Sequence, residues 1–145
     1  DGNFKKRKEE CDIIKEIIGH NDICGMSENE FILLKNISTD LNQRARHCVS
    51  EHQRTLKAIK AIKEGNIPKF GLLMTESHNS MRDDFKMSLP SIDNLVNDAI
   101  HLGAVGARLT GGGFGGCIVA CILKENLEAW RQKLLSLHPK AFNVI

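Results

Sequence analysis

Apolar residues recur at helical spacing through most of this chain and then bunch into two short runs beyond residue 103. From about Phe4 to Ile18, Cys11, Ile14 and Ile18 fall on one face of a helix. A longer helix begins near Asp40, with Gln43 at capping-box spacing. Leu41, Ala45, Cys48, His52, Leu56, Ile59 and Ile62 keep its 3.6-residue period until Gly65-Asn66 stops it. Pro68 opens a third helix, whose buried stripe is Phe70, Leu73, Met74, Ser77 and Met81. A fourth starts after Ser88, with Pro90 in its first turn and Asp93 near its positive dipole end. Ile92, Leu95, Val96 and Ala99 form its face, and Gly103 ends it. The period then changes. Ala104–Leu109 and Cys117–Ile122 read as short, buried strands. Leu127, Trp130 and Leu134 mark a further helix stopped by Pro139, and 141–145 reads as a final strand. This order predicts an α+β domain, with helices packed on one face of a small antiparallel sheet. The sheet is expected to be incomplete, a further strand lying upstream of Asp1.

Composition narrows the picture by exclusion. At 145 residues with 41% hydrophobic positions the chain is one domain's worth, residues 1–145, with enough apolar material for a core. No apolar run is long enough to cross a bilayer, so no membrane partner is expected. Twenty basic residues against 18 acidic ones leave a net charge of +2, which predicts no general affinity for nucleic acid. Five cysteines without CxxC spacing point to reduced thiols and a cytoplasmic setting. The basic run Lys5-Lys6-Arg7-Lys8 is followed at i,i+4 spacing by Glu9 and Glu10, which reads as a solvated, salt-bridged helix face.

The chemistry concentrates between the two strands. Thr110-Gly111-Gly112-Gly113-Phe114-Gly115-Gly116 puts five glycines in six consecutive positions, and seven of the chain's 12 glycines lie between Gly103 and Gly116. Glycine carries no Cβ to keep a ligand from the backbone, and successive amides in such a turn make an anion-binding concavity. The spacing G-x-G-x-x-G is present, but a strand rather than a helix comes after it, which excludes the dinucleotide fingerprint. Cys117-Ile118 stands where a Walker A loop needs Lys-Ser/Thr. The 29 residues after Gly116 hold neither a His-Arg-Asp nor an Asp-Phe-Gly, which excludes the protein-kinase loop. A hairpin with glycines for turn geometry alone remains the other reading.

Other constellations are weaker. Of His47, Cys48 and His52, Cys48 and His52 share a face and no third ligand is in view, so no metal site is expected. Ser77 and His78 are helix neighbours that point in different directions, and no nucleophile–base pair is expected there. Neither constellation is assigned a catalytic role.

Three segments carry a family resemblance: 76–85 (Glu-Ser-His-Asn-Ser-Met-Arg-Asp-Asp-Phe), 89–96 (Leu-Pro-Ser-Ile-Asp-Asn-Leu-Val) and 106–117, the glycine loop with its flanks. In order and spacing they resemble galactokinases of the bacterial type, within the GHMP kinase superfamily, and Arg44–Glu51 resembles the start of that family's long C-terminal helix. The resemblance implies the ferredoxin-like C-terminal domain of a two-domain kinase. The reaction it implies moves the γ-phosphoryl of ATP, with Mg²⁺, to the C1 hydroxyl of galactose. ATP and Mg²⁺ would be bound mainly by the N-terminal kinase domain of the same polypeptide, leaving this chain inactive alone. Backbone amides of Gly111–Gly116 would then shape the phosphate end of the cleft. Arg108 would either add positive charge there or form a structural pair. The family's sugar-contacting tyrosine falls on Phe4, seven residues before Cys11, and the chain contains no tyrosine. Phe4 is therefore a possible sugar contact that lacks the hydroxyl. A non-catalytic galactose sensor on the same scaffold and an N-acetylgalactosamine kinase are the alternatives.

Overall fold

The computed structural model describes residues 2–142. Its elements run α1 (Gly2–Ile18), α2 (Glu28–Ile37), α3 (Thr39–Lys63), α4 (Ile67–Asp83), α5 (Pro90–His101), β1 (Gly106–Thr110), β2 (Cys117–Cys121) and α6 (Leu127–Leu137), with single 3₁₀ turns at Ile23–Gly25 and Lys124–Asn126. Among the described residues the sheet is the antiparallel pair β1–β2, packed by helices, an α+β arrangement as the pattern predicts. The strand expected at 141–145 has no counterpart in the described part: Ala141 and Phe142 carry no regular structure, and 143–145 lie outside it.

Helix α2 escaped the periodic reading. It is started by a reciprocal capping box, Ser27 accepting from the Glu30 amide while Glu30 accepts from Ser27 N–H. The long helix starts one residue earlier than predicted. Ser38, not Asp40, caps it by accepting from Leu41 N–H. Its inward face also differs from prediction in the C-terminal half. Leu56, Ile59 and Ile62 are 50%, 46% and 56% exposed, while the line His47, Glu51, Arg54, Ala58, Ala61 turns inward. These two stripes lie about 120° apart around the helix. The inward one wins because its polar groups find partners on α4 and β1: His47 meets Ser80, and Glu51 meets Ser77 and Arg108. Arg7 likewise departs from the solvated face expected of it. It is 9% exposed and shares Glu10 with the buried Arg44.

Two apolar clusters form the core. One gathers Ile14, Ile23, Met26, Leu34 and Ala45 where α1, α2 and α3 meet. The other gathers Met81, Ile92, Val96, Ala99, Ala107, Leu109 and Leu134 around β1. Helix α4 runs beside β1 in unusually close contact. A Cβ at Gly106 would lie 2.0 Å from the Gly71 carbonyl oxygen, and a Cβ at Gly71 would lie 2.2 Å from the Val105 carbonyl oxygen. The strands are unequal. β1 is buried at Gly106, Ala107 and Leu109, whereas β2, predicted to be buried, leaves Val119 45% exposed. Among the described residues α4 packs along β1, whereas β2 is touched by α5 alone of the helices that pack extensively on the sheet.

Candidate functional site

The pairing of Thr110 with Cys117 closes the hairpin and leaves Gly111–Gly116 as a six-residue loop. Positive φ angles occur at Gly111 (86°), Gly113 (79°), Phe114 (56°), Gly115 (120°) and Gly116 (89°). A side chain in that region costs roughly 1–2 kcal/mol per residue, which explains the glycine content from the backbone outward. Phe114 tolerates the conformation because its own N–H is held by the Met87 carbonyl oxygen at 2.7 Å. Among the described residues, the amides of Gly111, Gly112, Gly113, Gly115 and Gly116 have no protein acceptor. They surround an open concavity of about 400 Å³ lined by residues 110–117. Unsatisfied donors on a bare backbone are what an anion requires.

The loop has an inner and an outer side. A Cβ on Gly113 would come within 2.7 Å of Met87 Cε and 2.8 Å of Met87 O, so Gly113 faces the protein. Cβ atoms added to Gly111 and Gly116 would meet nothing within 4 Å, and one on Gly112 would meet only Phe4 Cδ2 at 3.8 Å. The ring of Phe4, on α1 and 56% exposed, therefore stands at the tip of a loop more than 100 residues away in sequence. Thr110 is exposed at the stem.

Arg108 is held by side chains of α3 and α4. Its guanidinium pairs with Glu51 at 2.8 Å, donates to Leu109 O at 3.1 Å and reaches Met81 Sδ at 3.6 Å. Burial alone would raise the Glu51 pKa. Hydrogen bonds from Ser77 (2.6 Å) and Arg54 (2.9 Å), with the Arg108 charge, outweigh that and hold the carboxyl below its ordinary value. Glu51 thus ties α3 to α4 and β1, just under the loop's first stem.

His78 is 1% exposed, and burial pushes its pKa down, so the ring is neutral. Its Nδ1 accepts from Leu109 N–H at 3.3 Å, and its Nε2 lies 3.2 Å from Asp93 Oδ1. The neighbouring Ser77 is turned to Glu51, so the two do not form a nucleophile–base pair. His47 Nδ1 does meet Ser80 Oγ at 3.0 Å, but Asp84 takes the serine hydroxyl at 3.2 Å rather than orienting the imidazole, and the group is buried away from the loop. His47 is bound to Ser80 while His52 is exposed, so they do not converge with Cys48. Among the described residues no group of three or more His, Cys, Asp or Glu side chains is gathered that could hold a metal ion.

Glycine composition found the loop, but the sequence reading missed Met87 and Glu51 and gave His78 no role. The trace available was polar residues recurring at core spacing, His47-Glu51-Arg54 on α3 and Ser77-His78 on α4.

Residues 58–139 match the family model described as GHMP kinases C terminal. Galactokinase of Pasteurella multocida is 43% identical over 137 residues, covering 90% of this chain and 36% of that protein. Galactokinase of Glaesserella parasuis is 39% identical over 145 residues, covering 96% and 38% respectively. The crystal structure of Lactococcus lactis galactokinase complexed with galactose superposes with a TM-score of 0.86 at 31% identity, over 97% of this chain and 38% of that one. The chain thus spans about 38% of the length of these relatives.

Proposed function

Because this chain belongs to the GHMP kinase family, we propose that it works as the C-terminal part of a galactokinase, residues 1–145 forming one domain of a longer polypeptide. That polypeptide transfers the γ-phosphoryl group of ATP to the C1 hydroxyl of D-galactose in the cytoplasm. The observation that carries this reading is the open glycine loop, five of whose amides have no protein acceptor among the described residues, in a chain matching a galactose-bound galactokinase over 97% of its length. Phosphoryl transfer needs positioned donors around the phosphate oxygens more than it needs a reactive side chain, and the loop supplies donors. ATP and Mg²⁺ are held mainly by the N-terminal domain, and Mg²⁺ neutralises phosphate charge when bound. Arg108 serves β1 through Glu51 rather than the phosphates.

Phe4 at the tip of the loop marks where sugar and phosphate ends of the cleft approach one another. Its ring packs on the sugar without the hydrogen bond of a tyrosine. Phe4→Tyr should lower the galactose KM by roughly 2- to 10-fold, the equivalent of about 0.5–1.5 kcal/mol for one added hydrogen bond. A coupled assay of ADP release tests the whole reading. The full polypeptide should turn over with galactose and much less with N-acetylgalactosamine, and the 145-residue chain alone should show nothing above background. Galactose binding without turnover would mean a sensor, and preference for the N-acetylated sugar would overturn the substrate.

A further inference from the structure

A buried imidazole is an expensive way to fill a core that leucine would fill as well, unless polar neighbours hold it in place. His78 Nδ1 accepts a hydrogen bond from Leu109 N–H, while Nε2, buried without a hydrogen bond, lies 3.2 Å from Asp93 Oδ1, and these two neighbours lie at the places that fix the glycine loop. With the ring neutral and Nδ1 accepting from Leu109 N–H, the ring proton must sit on Nε2, facing Asp93. Asp93 Oδ1 also accepts from Ser88 Oγ at 2.6 Å. Next to Ser88 is Met87, whose carbonyl oxygen holds Phe114 N–H at 2.7 Å and against which Gly113 rests. One side chain therefore touches the loop's first stem on one side. Through Asp93 and Ser88 it touches the shelf beneath the loop's tip on the other.

The backbone explains how the imidazole comes to be there. Gly71 meets Gly106 at the start of β1, and seven residues later on α4 His78 meets Leu109, three residues later on the strand. Seven helical residues rise about 10.5 Å and three strand residues about 10 Å, so α4 keeps step with β1 along its length. The close glycine contact sets the distance between helix and strand, and His78 sets the register at the end that carries the loop.

We propose that His78 is a positioning residue for the glycine loop, locking strand stem and Met87 shelf into one frame so that the free amides meet a phosphate at a fixed place. The proposal rests on the phosphoryl-transfer reading for its consequence and on the geometry alone for the frame. His78 does not touch the ligand; it acts through Leu109 and through Asp93 and Ser88.

The test uses the full polypeptide and two readouts, amide hydrogen exchange and steady-state kinetics. His78→Leu, which removes both contacts, should speed exchange across 109–117 and 85–89 at least tenfold, raise the KM for ATP at least fivefold and leave the KM for galactose within twofold. His78→Asn keeps an acceptor near the Nδ1 position and should restore protection at 109–110 but not at 85–89. Ser88→Ala, a half-buried position that folding tolerates, should loosen 85–89 and the Phe114 amide alone. Val96→Ala is the comparator. It should lower the Tm by loosening the same core while leaving local exchange at 109–117 unchanged relative to the rest of the core. Exchange at 109–117 and KM for ATP within twofold of wild type in His78→Leu overturns the proposal; if that variant does not fold, exchange at 85–89 and at the Phe114 amide within twofold of wild type in Ser88→Ala overturns it. Absence of galactose turnover in the wild-type polypeptide overturns the kinase reading instead, and the exchange pattern still decides whether His78 frames the loop.

Discussion

Glycine serves opposite ends in two regions about 17 Å apart along β1. At the Gly71–Gly106 crossing, backbone presses on backbone and an added Cβ would land 2.0–2.2 Å from a carbonyl oxygen. At Gly111, Gly112 and Gly116 the backbone faces open space, with nothing nearer than Phe4 at 3.8 Å. The first pair lets a helix and a strand approach. The second set keeps a surface bare. Glycine content therefore does not identify a binding site by itself; what decides is whether the missing side chain's place is already filled.

The most damaging way to probe that contrast is Gly106→Val. Neither the Gly71 carbonyl nor the strand can yield cheaply, so the cost should be at least about 3 kcal/mol, the upper end of overpacking. Urea unfolding would read it, and a variant with wild-type stability would mean that the helix–strand distance is not set there. A second test probes the closed region by pH. Burial holds the His47 pKa down to about 4, against 6.5 for the free side chain. The unfolded chain therefore binds the proton more readily, and stability that is complete above pH 6.5 is lost as pH falls toward 4. The loss attributable to this group should be on the order of 3 kcal/mol, and His47→Asn should flatten the slope in that window.

On the open side, Gly112→Val should leave the Tm within a few degrees, because Gly112 has no positive φ and an added side chain meets only the Phe4 ring. In the full polypeptide kcat/KM for ATP should fall at least tenfold, about 1.4 kcal/mol of transition-state stabilisation. Normal kinetics would reduce the loop to turn geometry. Gly113→Val is the poorer probe, since its side chain strikes Met87 and confounds folding with function. The smallest effect should come from Val119→Ala. At 45% exposure on the edge strand it should cost under about 0.5 kcal/mol, read by Tm.

The α+β class and five of the six described helices were legible, because Leu73, Met74 and Met81, or Ile92, Val96 and Ala99, repeat where a helix must hide them. The glycine loop was legible from its composition and from the strand on its C-terminal side, which ruled out the helix-opening motifs. Helix α2 carried a readable signal in Ser27 and Glu30, but it is short and two-sided, with Ile32 and Leu33 exposed beside buried Leu34. The inward face of α3 was not legible. Periodicity scores apolar residues, and that face is held by Glu51 and His47, whose partners are distant in sequence. Phe4 meeting Gly112 is likewise a long-range event that no local pattern encodes.

The bond from Phe114 N–H to Met87 O falls near the middle of the six-residue loop. A loop held only at its ends would surrender the freedom of every residue when a ligand ordered it, at roughly 1–2 kcal/mol for each. Pinned at its centre, it is divided into two short arms that have little left to lose. Much of that entropy has gone at folding, before any nucleotide arrives, and the free amides can spend their attraction on the ligand rather than on their own ordering.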